Sequence, residues 1–125
     1  TDSTSRRRTA TALATPASIQ SIPANANNQD VVSMGLLAAR MARDVLTNTR
    51  RILAIEWLAA SQAIDLARCA DELATATRAA HSALRDAVPA LHEDRFMADD
   101  IAAAAEALRA GTLQSALDHV SIRLA

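Results

Sequence analysis

Four amides crowd one short stretch of this chain: Asn25, Asn27, Asn28 and Gln29, followed at once by Asp30. A side-chain amide carries both donors and acceptors, so such a cluster can hold the amino or carboxylate end of a small polar molecule. The stretch lies beyond Pro16 and Pro23 and feeds an apolar-periodic segment that begins near Ser33. A helix starting there offers unpaired N–H groups and the positive end of its dipole to the same space, which favours an anion. Asn-rich loops more often cap turns and satisfy backbone. The position before a long helix is what gives this one chemical interest.

The other reactive side chains carry weaker patterns. His81, His92 and His119 have no metal-ligand spacing, so no metal is expected. Glu56 and Asp65 are nine apart, off a shared helical face, and are expected to pair with Arg. Arg43, Arg50 and Arg51 read as helix-surface or inter-helix ion pairs. Ser33 and Ser61 lack a His partner in a nucleophile pattern, His92-Glu93-Asp94 reads as a solvated loop, and Trp57 as an anchor of helix packing.

Composition narrows the class. Of 125 residues 31 are Ala, with two Gly, three Pro, one Trp, one Phe and no Tyr. That favours helix and leaves little material for a sheet. All 13 basic residues are Arg, and the net charge of −1 excludes an electrostatic case for nucleic acid. Arg6-Arg7-Arg8 is a short basic run without aromatic interleaving. Cys69 is the sole cysteine, so no intramolecular disulfide forms; with no evident signal peptide, the cytoplasm is the expected compartment. No apolar run approaches a membrane span.

The elements that must position these groups follow from periodicity. Residues 1–15 read as a poorly ordered or short helical start, 16–32 as an amide-rich loop, and 33–125 as a helical region. The first long helix is expected from about Ser33, capped by Asp30 or Ser33, to about Cys69, with Leu37, Met41, Val45, Ile52, Ile55, Leu58, Ile64 and Leu66 at helical spacing. It would be roughly 55 Å long, beyond the roughly 28 Å diameter of a compact domain of this size. Leu36, Leu37, Leu53 and Trp57 make it apolar on more than one face, which implies burial in an oligomer or a larger protein. A second helix is expected at about Asp71–Val88, ending before Pro89; its continuity with the first is open. A loop at 89–97 precedes a third helix at about Asp99–Ala110, with Asp99 or Asp100 as N-cap and Gly111 as stop. A short last helix is expected over 112–124. The expected fold is all-α, with long near-antiparallel helices forming part of a bundle.

The sequence resembles one family along most of its length. Pro16-Ala17-Ser18, Ser21-Ile22-Pro23, Asn28-Gln29-Asp30 and Val32-Ser33-Met34-Gly35 are similar to the C-terminal part of the histidine, phenylalanine and tyrosine ammonia-lyases and their 2,3-aminomutase relatives. So are Leu53-Ala54-Ile55-Glu56-Trp57-Leu58-Ala59-Ala60, Gln62-Ala63-Ile64-Asp65-Leu66, Val88-Pro89, Asp94-Arg95 and Asp100-Ile101. The resemblance spans about residues 9–118 and only about the last quarter of a family member. Thr9-Ala10-Thr11-Ala12-Leu13 runs almost directly into Pro16, where family members usually carry several more residues.

The resemblance implies a carbon–nitrogen lyase that eliminates ammonia from an aromatic amino acid. A methylidene-imidazolone electrophile, formed from an Ala-Ser-Gly tripeptide, would capture the substrate amine, and a Tyr on a mobile loop would remove the β-proton. This sequence has no Ala-Ser-Gly and no Tyr, so the chain alone is expected to be inactive and to depend on the rest of the enzyme chain. Its implied substrate-binding residues are Asn25, Asn28 and Gln29. The histidine enzymes carry Glu where this chain has Gln29, whereas Asn25 with Gln29 resembles the bacterial tyrosine enzymes and points to tyrosine or phenylalanine. A homotetramer is implied as well. Lyase and 2,3-aminomutase both stay open, and so does a catalytically inactive helical oligomerisation module.

Overall fold

The Ala-rich, Gly-poor chain folds into helices and turns. The computed structural model describes residues 13–21 and 32–120, which contain no strand. A 3-10 turn at Ala17–Gln20 comes first, then helix α1 at Gly35–Ala67, a second 3-10 turn at Ala70–Glu72, α2 at Thr75–Arg85, α3 at Ala98–Ala110 and α4 at Thr112–His119. The expected all-α class holds. Among the described residues no helix is long and apolar enough to cross a membrane.

The ends of α1 differ from expectation for a backbone reason. Ser33 stays outside the helix, and Met34 adopts a left-handed φ of 50° before the first helical bond closes from the Ala38 N–H to the Met34 carbonyl at 3.0 Å. The other end stops at Arg68, whose φ of 55° is also left-handed. The Cys69 N–H then donates back to Ile64 O at 3.4 Å. Glycine ordinarily holds that stop position, so the sequence displays no punctuation there. The first and second helices are therefore separate. Arg78 Nη2 donates to the carbonyls of Asp71 at 2.8 Å and Leu73 at 3.0 Å, which satisfies the connecting turn.

The remaining boundaries lie near their expected places. α2 closes at Arg85, and Val88 turns back to donate to Leu84 O at 2.8 Å ahead of Pro89. α3 begins after Met97 with no side-chain cap. Asp99 and Asp100 are not the N-cap expected of them. They lie in the first turn, where negative charge suits the helix dipole, and Asp100 pairs with Arg95. Gly111 ends α3 as expected, at φ 78°. α4 ends at His119, and residues 121–124 of the expected last helix lie outside the described residues.

The chain divides at Thr49/Arg50, inside α1, into two units. In the first unit Ala17 is buried. Leu13–Ala17 and the Ala38, Met41, Ala42 and Val45 positions of α1 line a cavity of about 310 Å3. The second unit holds a core of Ala54, Leu58, Leu84, Val88 and Ala104, with Trp57, Ile101 and Leu108 packed against it. α4 packs on α2 and α3. Ala54 and Ala104 are fully enclosed; their small side chains let neighbouring backbones approach. Trp57 is the packing anchor its sequence context suggests, and its indole N–H donates to Ala80 O at 3.2 Å. Leu36 (78% exposed), Leu46, Leu53 (49%) and Leu66 stand in solvent, so the described residues leave α1 uncovered at these positions.

Candidate functional site

Asn25, Asn28 and Gln29, together with Asn27 and Asp30, fall in 22–31, outside the described residues. What the structure describes is the frame on either side. The Val32 backbone N–H donates to the Ser21 hydroxyl at 2.8 Å. One side chain thus ties the residue before the amide segment to the residue after it, and a ten-residue excursion begins and ends at one place. Ser21 entered the sequence reading only as a member of a motif. Its role as the clasp had no local signal, because the bond joins positions eleven apart.

From that clasp the chain passes directly into α1. Val32, Ser33, Met34, Gly35, Leu36, Leu37 and Arg40 line a cavity of about 450 Å3 at the helix start. The first-turn N–H groups before Ala38 have no helical acceptor, and Arg40 adds a full positive charge one turn further on. Both features favour a carboxylate in this space. Arg40 escaped the sequence reading, although its place one turn into the helix could have revealed it. The amide segment therefore opens and closes at the edge of a positively biased cavity.

The second unit contains a charged cluster with a different purpose. Asp65 on α1 faces His81 and Arg85 on α2. Its Oδ1 lies 2.8 Å from His81 Nε2, and its Oδ2 accepts from Arg85 Nε at 2.8 Å. Arg85 Nη2 sits 2.7 Å from the same oxygen as an ion-pair contact without hydrogen-bond alignment. Burial pushes the Asp65 carboxyl up, but the His81 hydrogen bond and the Arg85 charge outweigh it and hold the group below its ordinary value. A carboxylate held ionised by two partners joins helices; it does not exchange protons near neutrality. This is the Arg pairing expected of Asp65.

Among the exposed groups, Glu106 is bound by Arg109 one turn on, with Arg50 of α1 adding a weaker attraction. Ser61 is buried in α1. His92, Glu93 and Asp94 lie in the exposed loop expected of them. Among the described residues no group of three or more His, Cys, Asp or Glu side chains could hold a metal ion.

A helical frame with a positively biased cavity at the start of its long helix is what the described residues present, and comparison with known proteins gives the class its name. The family described as aromatic amino acid lyase matches residues 3–86. A tyrosine ammonia-lyase of Cupriavidus metallidurans is 51% identical over 113 residues, covering 90% of this chain and 21% of the relative. A histidine ammonia-lyase of Symbiobacterium thermophilum is 50% identical over 109 residues, 87% of this chain and 21% of the relative. The crystal structure of a tyrosine aminomutase from Streptomyces globisporus superposes with a TM-score of 0.84 at 46% identity, covering 98% of this chain and 24% of that one. This chain belongs to the aromatic amino acid lyase family. It spans about a fifth of the length of the curated relatives it matches.

Proposed function

We propose that this chain is part of an ammonia-lyase acting on tyrosine or phenylalanine, and that its own share of the work is to position the substrate. The observation that carries the activity is 51% identity to a tyrosine ammonia-lyase across 90% of the chain. The substrate choice rests on Gln29 with Asn25. A neutral amide at 29 cannot pair with an imidazolium as Glu would, but it can hydrogen-bond an amino or carboxylate group. In this reading Gln29 and Asn28 hold the polar end of the amino acid and Asn25 lies beside them. The α1 start and Arg40 draw the carboxylate, and the Ser21–Val32 clasp holds together the two residues that flank the amide segment.

The reading includes a methylidene-imidazolone group in the full-length protein, and this chain's residues do not fit its formation. Ala17-Ser18 is followed by Ile19 and Ala60-Ser61 by Gln62, and there is no Tyr to serve as base. The chain's own contribution is confined to binding and orientation. A homotetrameric full-length enzyme in the cytoplasm belongs to the same proposal. Its support is the leucines left in solvent along α1. Similarity to a tyrosine aminomutase structure favours a second reading, in which the amino group is returned to the neighbouring carbon.

The test uses the full-length protein. Gln29→Ala should lower turnover by about 100-fold or more while leaving the melting temperature within about 2 °C, as expected for loss of a positioning contact. Gln29→Glu should impair tyrosine and phenylalanine turnover. Unchanged kinetics in both variants would refute the positioning role. Product analysis for cinnamate-type acids against β-amino acids separates lyase from mutase.

A further inference from the structure

We draw no further inference here: the strongest candidate, the apolar cavity of about 290 Å3 between α1 and the segment that joins α2 to α3, lined by Ile55, Leu58, Val88, Leu91 and Met97, carries nothing, because nothing in the structure shows what covers it.

Discussion

Gln62 is the most informative single position to perturb. Its amide mimics a backbone partner, giving a donor to Leu91 O and an acceptor to the Leu91 N–H, both at 2.9 Å and both partly buried. Gln62→Met keeps the length and helix propensity of the side chain but offers Leu91 nothing. A backbone group left without a partner costs about 1–3 kcal/mol, and partial exposure puts each of these two near the low end. The expected loss is about 2–3 kcal/mol. Gln62→Glu keeps the acceptor and replaces the donor with an oxygen facing Leu91 O, so it should lose less, about 1–2 kcal/mol. Urea denaturation followed by far-UV circular dichroism measures both, and hydrogen exchange at the Leu91 amide localises the effect. The reasoning fails if Gln62→Met lies within about 0.5 kcal/mol of the parent and Leu91 keeps its protection.

Two further perturbations probe the core and the charged cluster. Leu84 is fully enclosed, so Leu84→Ala should cost about 3–5 kcal/mol in the same urea assay, and a loss below about 1 kcal/mol would mean the core collapses around the change. Asp65→Asn removes the carboxylate shared by His81 and Arg85 and should destabilise by about 1–3 kcal/mol at neutral pH, because it leaves Arg85 without its counter-charge. The Asp65 carboxyl lies below its ordinary 3.8 in the folded state. Its contribution is therefore present above that value and fades as pH falls through the lower folded one. The stability gap between parent and Asp65→Asn should narrow below about pH 4, and a gap constant down to pH 2 would contradict the pairing.

Much of the architecture was legible from local pattern. Apolar spacing along α1, Gly111 after α3 and Pro89 after α2 are punctuation whose physics is local: a side-chain stripe, a left-handed residue without a Cβ, a ring that excludes the preceding helical conformation. The same holds for Trp57, since a lone large aromatic on a helix in an Ala-rich chain has to bury. Of the site, the residue types that suggest chemistry were legible, as was the family whose motif they match. Ser21 as clasp was not, because its bond joins positions eleven apart that the fold brings together.

The sequence by itself determined the helical class, the approximate order of helices, the amide-rich segment and its lack of an Ala-Ser-Gly or a Tyr. Only the tertiary structure decided that α1 stops at Arg68, where a left-handed backbone sits under a side chain that gives no sign of it. It also decided that Gln62 and Arg95 hold the loop bearing Phe96, and that Asp65 serves His81 and Arg85 jointly. These are side-chain bonds, most of them between separate elements. Their partners are chosen by packing, and the energy of each depends on how far water has been excluded, which no local window of residues records.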